Sequence, residues 1–377
     1  MLLHKLESQN LDVYRIKMIR NKFLLIINLI FLTLFCFSPS AFSNTNAPGV
    51  TIIPGSSLKA YTYTLDNGLK LVVIPDYRNT IATLNFILNA GSDREVLGST
   101  GLAHFFEHMM FRKTKGVAEG NYDRVLSAVG GSGNAATGES LVTFYSTFPA
   151  PALKKILALE SQRFLSLSLK EPYFSTEKGA VISERKMRVE NDPFQRGYEI
   201  IRSITVRGTP LEWKVIGAKK DVENLNINTA QNFYNEFYRP NNTLMVVGGP
   251  FKPDEVKKLV VNDFGKWKGL SAQNNPQYPA DYLTRDIGKS FICAEPVATK
   301  NVMFVYPSYD SSLKSAVYSS LFATMLDDNP QGPFAYRLQK QKLADQFGFD
   351  KSYDGTKSNP FIASFILSSN QKIDNLK

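Results

Sequence analysis

The stretch GLAHFFEHMMFRKT, residues 101–114, sets two histidines four apart around a glutamate in an otherwise apolar run. The sequence contains 3 His in 377 residues, and the third, His4, stands near the N-terminus. On a helix, His104 and His108 leave the same face one turn apart. Two neutral imidazoles so placed can bind one zinc ion. Glu107 flanks that face, where a carboxylate reaches a water beside the metal. The His-x-x-Glu-His order reverses the commoner His-Glu-x-x-His helix. The competing reading is a pair of inert core histidines. Each polar group on this apolar, buried helix would then need a protein partner of its own.

Zinc takes a third protein ligand and leaves its fourth position to water. With no histidine left, the candidates are Cys293 and a carboxylate. Glu177 and Glu184 are seven apart, two turns of one helix. Ala180 and Val181 lie between them, which makes the stripe read as inward-facing. For Glu184, a surface ion pair with Arg185 or Arg188 remains the alternative.

Outward from the histidines, Thr100 reads as the N-cap of their helix. That helix is apolar nearly all round, which predicts burial. Upstream, AYTYTLDNGLKLVVIP pairs two strand-like runs around Asn67-Gly68, a tight-turn signal, and residues 81–91 read as a further strand. Downstream come a helix at 121–129, a GGSG turn and strands through 134–148. The glycines alone are weak evidence for phosphate binding, since no Lys-Ser/Thr follows them. Helices follow at 151–165, by apolar spacing, and from Ser175. TLMVVGG reads as a buried strand, and residues 252–267 as a helix. The polar, Pro-bearing residues 268–286 read as a linker. Beyond it lie strands at 289–295 and 301–307, helices at 312–327 and 335–345, and a strand at 360–369. The fold class is α+β: two α/β domains, 51–267 and 287–377, with largely antiparallel sheets packed by helices.

The composition is globular, with 43% hydrophobic and 21% charged residues. The net charge is +10, yet no Lys/Arg cluster with interleaved aromatics occurs, which argues against nucleic acid as a partner. Residues 18–22 (MIRNK) are basic, residues 23–37 are an uncharged apolar run, and Ala41 and Ser43 are small residues at signal-peptidase spacing. Residues 1–43 thus read as a bacterial secretory signal peptide, cleaved near Ser43/Asn44, for a periplasmic or secreted protein. The alternative, an uncleaved membrane anchor, needs roughly 20 apolar residues, more than this run supplies. Cleavage removes Cys36 and leaves Cys293, so no internal disulfide forms.

Together the motifs LDNGLKLVV, AGSDRE…GLAHFFEHMMF, GNAAT, ALESQRF, EKGAVISE, VIG and FYRPNNTLMVVGG resemble the pitrilysin/insulinase family of zinc metallopeptidases, in its bacterial, mitochondrial-processing-peptidase-like branch. They occur in family order across nearly the whole chain after the leader. The resemblance implies one Zn²⁺ per chain, held by His104, His108 and Glu184, the last being 76 positions after His108 as in the family. It implies Glu107 as catalytic base, Glu177 as the supporting acid, and Asn134 and Ala135 as substrate-binding residues on a cleft strand. The Asp and Thr usual after this last motif are replaced by Ser140 and Val142. The implied activity is endopeptidase hydrolysis of unfolded peptides or small proteins. The alternative is a non-catalytic or poorly active subunit, or a truncated remnant of a two-chain enzyme. The family's second half supplies an Arg and a Tyr seven apart. Here Arg337 is followed seven positions later by Ala344, and 287–377 reads as an incomplete domain. A second family chain supplying that pair, in a heterodimer, or else a homodimer, is the expected partner. Membrane contact is expected only through an uncleaved leader.

Overall fold

The computed structural model describes residues 48–268, 300–306, 313–327, 333–350 and 361–367. The leader, all but the first residue of the linker, and the strand expected around Cys293 lie outside the described residues. The first seven strands are β1 (Gly49–Ile52), β2 (Lys59–Thr64), β3 (Lys70–Pro75), β4 (Ile81–Leu88), β5 (Ser132–Thr137), β6 (Val142–Pro149) and β7 (Thr243–Gly249). They form one sheet in the order β1-β2-β3-β7-β4-β6-β5. From β2 onward only the β3–β7 pairing is parallel. The β2–β3 turn carries Gly68 at φ +87°, a conformation glycine adopts without a Cβ penalty.

Leu71, Met245, Phe86, Phe144 and Ala135 are successive cross-strand partners. All are buried, and they form one apolar row across five strands. Phe86 and Phe144 both contact Phe164 of α3 (Leu153–Ser166). Over β5 and β6 lies α1 (Leu102–Met109), and small Ala135 leaves room for it. The helix is held from above by α4 (Tyr173–Arg185) and α7 (Ile227–Phe237). Its Phe106 stacks on Phe233 and Tyr234, each with ring centroids 5.7 Å away. The remaining helices of this layer are α2 (Asn121–Ala128), α5 (Pro193–Thr205), α6 (Lys219–Asn224) and α8 (Pro253–Phe264).

Glycine decides one contact at the site. Gly101 and Gly217 have φ of +91° and +83°. A Cβ on Gly217 would stand 2.6 Å from Gly101 N and from Thr100 O. The glycine of the VIG motif thus lets one backbone press directly on another where α1 begins.

Three sequence expectations are corrected. The helix expected from Ser175 through residue 192 begins at Tyr173, and its last part, Lys186–Glu190, is a π-turn. The helix expected over 335–345 is α10 (Pro333–Lys340), and Ala344–Asp350 is a strand, β9. Lys342, at φ +50°, breaks the helix, and Phe347 and Phe349 then alternate onto one strand face. Thr100 does not cap α1: the N-cap is Gly101, with no side-chain hydrogen bond of its own. The Thr100 hydroxyl instead donates to Asp221 Oδ2 (2.8 Å) and accepts from Ala218 N–H (2.8 Å).

A second antiparallel sheet, in the order β8-β10-β9, is built from β8 (Asn301–Tyr306), β9 and β10 (Phe361–Leu367). It has its own core, with Val302, Leu338, Ala363, Phe365 and Leu367. Helix α9 (Leu313–Asp327) and α10 accompany it. Arg337 lies on α10, and Ala344 opens β9 and is buried. Among the described residues no helix is long and apolar enough to cross a membrane.

Candidate metal centre

Helix α1 presents His104 and His108 with ring centroids 4.8 Å apart. Helix α4 brings Glu184 onto them. Glu184 Oε2 stands 3.7 Å from His104 Nε2 and 3.2 Å from His108 Nε2. One donor atom from each of the three lies within 4.8 Å of the others. Tetrahedral zinc with these ligand types separates its donors by roughly 3.3 Å, so the residues present fit the ion. The inert-histidine alternative fits less well, because Glu184 Oε2 at 3.7 Å from His104 Nε2 is beyond hydrogen-bond range yet within the span of one shared ion.

The two rings are pushed in opposite directions, and the neutral form that ligation needs is favoured at His104. Burial, with His108 alongside, pushes the His104 pKa down to about 4, which keeps that imidazole neutral. His108 is raised, first by its hydrogen bond to Glu177. That bond joins His108 Nδ1 to Glu177 Oε2 at 3.2 Å and aims Nε2 toward Glu184. Metal-binding histidines commonly use their second nitrogen in this way. Glu177 is 1% exposed. Burial alone would raise its carboxyl, but the His108 bond and the Arg112 guanidinium outweigh burial and hold it below the usual range. Arg112 pairs with Glu177 and, through Nη1, with Glu119 at 2.9 Å. Val181 is buried between Glu177 and Glu184, as the inward stripe requires, whereas Ala180 is exposed. Glu184 Oε1 is held by Arg188 at 2.8 Å. The ion pair weighed as an alternative for Glu184 therefore coexists with its approach to the histidines, one oxygen to each.

Glu107 is half-buried, and burial raises its pKa. Its Oε2 accepts a 2.5 Å hydrogen bond from the Thr137 hydroxyl. The carboxylate thus lies on the ligand helix without belonging to the converging donor set. Thr137 and Ala135 face α1 from the same side of β5. Asn134 alternates to the other side and is exposed, its Oδ1 accepting from the Ala135 N–H at 2.9 Å. Among the described residues β5 pairs only with β6 and leaves its outer edge open. Of the unusual pair after this motif, the Ser140 hydroxyl donates to Asp93 at 2.9 Å and Val142 is a core residue.

Sequence reasoning missed Thr137, Arg112 and Glu95 around this centre, and the Glu160–Arg163 pair beneath it. Glu160 and Arg163 are each 2% exposed and bond at 2.8 Å. Arg163 also lies over the rings of Tyr122, Phe111 and Phe144, at 4.3, 4.9 and 5.1 Å. Its Nη1 donates to Met110 O, just past the end of α1. An acid and a base three apart on a helix gave the only signal, and it reads equally as a solvated pair.

Comparison with known proteins identifies the family. Residues 71–219 match the profile described as Insulinase (Peptidase family M16). Residues 224–377 match the one described as Peptidase M16 inactive domain. The chain is 29% identical over 230 residues to the zinc protease PqqE of Helicobacter pylori, covering 59% of this chain and 52% of that protein. It is 27% identical over 206 residues to the mitochondrial-processing peptidase subunit beta of Caenorhabditis elegans, covering 54% and 44%. The match thus spans about half the length of these curated relatives. A crystal structure of a protease from Helicobacter pylori superposes with a TM-score of 0.76 at 25% identity, over 85% of this chain and 77% of that one. The inverted histidine helix, the sheet it rests on and both family profiles in sequence converge: the chain belongs to the insulinase family, peptidase family M16.

Proposed function

We propose that this chain is a zinc-dependent metalloendopeptidase acting on unfolded peptides or small proteins. The observation that carries the reading is the convergence of His104, His108 and Glu184 beside a separate carboxylate, Glu107, on the same helix. Bound there, zinc supplies a Lewis acid that polarises a carbonyl and makes water acidic near neutral pH. Glu107 accepts the proton of the attacking water and delivers it to the leaving amine nitrogen. Glu177 keeps the His108 ring oriented through Nδ1. The open edge of β5 offers main-chain donors and acceptors to an extended peptide, which docks as an added strand with broad sequence tolerance. Asn134 and Ala135 lie on that strand.

The reading is tested on the purified chain by zinc content together with cleavage of a quenched peptide library. Glu184→Gln removes one of three ligands and is expected to lower zinc affinity by at least tenfold, with cleavage lost in step. Unchanged zinc and rate in Glu184→Gln would overturn the ligand set.

We assign the periplasm or medium as the location, from the leader at 1–43. N-terminal sequencing of the exported chain should begin near Asn44; a retained 23–37 segment would overturn this. The partner we propose is a second family chain that supplies an Arg/Tyr pair, since Ala344 stands where the Tyr would be. The same peptide assay, with and without such a chain, tests it. Full activity alone, with no gain on mixing, would exclude the pairing.

A further inference from the structure

Helix α1 has eight residues, too few to be stable on propensity alone. It nevertheless carries both histidines and Glu107. Its first turn is buried, so its N–H groups, which lack intrahelical acceptors, need partners from elsewhere. The helix supplies none: the N-cap is glycine and the first turn contains no acidic residue.

Glu95, six residues upstream of Gly101, fills this role. Its Oε2 accepts from Gly101 N–H at 2.9 Å and its Oε1 from Ala103 N–H at 2.8 Å. The side chain is buried at 5% exposure. Ala103 immediately precedes His104, so the second bond ends one residue from a ligand. Glu95 is itself mounted rigidly. The loop before it is tied to the β5–β6 turn by Gly91 N–H to Ser140 O (3.2 Å) and Asp93 N–H to Glu139 O (2.7 Å). The Trp213 indole N–H donates to Ser92 O at 3.2 Å. The strand that holds Glu107 through Thr137 and the anchor of the helix N-terminus therefore share one platform.

We infer that Glu95 is a positioning residue for the metal ligands: its two carboxylate oxygens fix where α1 begins and thus where His104 and His108 present their ring nitrogens. The inference rests on the zinc-site reading above. It goes further in assigning metal affinity to a residue that touches neither the ion nor a ligand.

The experiment compares Glu95→Gln, which keeps one good acceptor, and Glu95→Leu, which keeps neither, with Asn67→Ala. Asn67 Nδ2 donates to Phe264 O and Trp267 O at 2.9 and 3.0 Å, so its loss weakens the same domain away from α1. Zinc affinity is read by competition with a chelator, ligand arrangement by the visible spectrum of the Co²⁺-loaded chain, and stability by urea unfolding. Groups behind metal ligands typically change affinity by about 10–100-fold. A graded loss is expected, a few-fold for Gln and about tenfold or more for Leu, with an altered Co²⁺ spectrum. Asn67→Ala should lose stability and keep both metal readouts. If the Leu variant does not fold, the Gln variant decides. Zinc affinity and Co²⁺ spectrum equal to wild type in the folded Glu95 variants would reduce Glu95 to a structural cap and overturn the inference alone. A wild-type chain that takes up no zinc would overturn the zinc-site reading and this inference with it.

Discussion

Glu107→Gln should retain zinc and stability while turnover falls by about 10²–10⁴-fold, the range that a positioned acid–base group contributes. The substitution preserves shape but removes the basic oxygen. The donor atoms of His104, His108 and Glu184 are untouched, because Glu107 is not among them. Its Oε2 meets the Thr137 hydroxyl, which can donate to the amide oxygen equally well, so the local packing should survive. Zinc content, urea midpoint and peptide-library rates on one preparation separate the possibilities. Zinc lost along with the rate would make Glu107 a ligand, and an undiminished rate would end its role as base.

Arg163→Ala is expected to cost about 3–5 kcal/mol of folding stability, since deleting one partner of a buried pair strands the other charge. Glu160 would keep only the Tyr122 hydroxyl, now 2.7 Å from its Oε1. The aromatic box of Tyr122, Phe111 and Phe144 would lose its cation. The double replacement Glu160→Gln with Arg163→Met leaves no orphaned charge, and should cost less than the single change. Urea unfolding of the three chains tests this. A single variant within about 1 kcal/mol of wild type would show that water reaches Glu160 after all.

The fold was legible wherever one face of an element is apolar. The β2–β3 hairpin, β4, β7, α3 and α8 follow from period and turn chemistry alone. Helices α5 and α7 were not read, although their start signals are present. Asp192 caps α5, accepting from Phe194 N–H and Gln195 N–H ahead of Pro193 at its first position, and Asn226 caps α7. At the centre, the histidine pair with Glu107 is contiguous and local, so it is visible in one line of sequence. Glu184 arrives from a different helix, and spacing by itself left it level with a surface ion pair. Glu95 was missed for a related reason. Capping rules look at the residue beside the helix, which pointed to Thr100, while the chain uses a carboxylate folded back from the preceding loop. Glu160 and Arg163 escaped because α3 is covered on more than its apolar stripe.

The proposed ligands of the centre come from α1 and α4, with His108 and Glu184 76 positions apart. Between them the chain must complete α2, the β5–β6 hairpin and α3. Closing a loop of that length costs on the order of 4 kcal/mol in chain entropy, before any third ligand can engage. An ion met early by His104 and His108 alone would therefore meet a closure cost before it could draw in the rest of the chain. It would capture Glu184 most readily once the intervening elements have folded. Zinc held at the proposed site would then slow unfolding more than it speeds folding, as late-forming contacts do. Such an ion would act as a latch set after assembly, in contrast to small zinc modules that need the metal in order to fold at all.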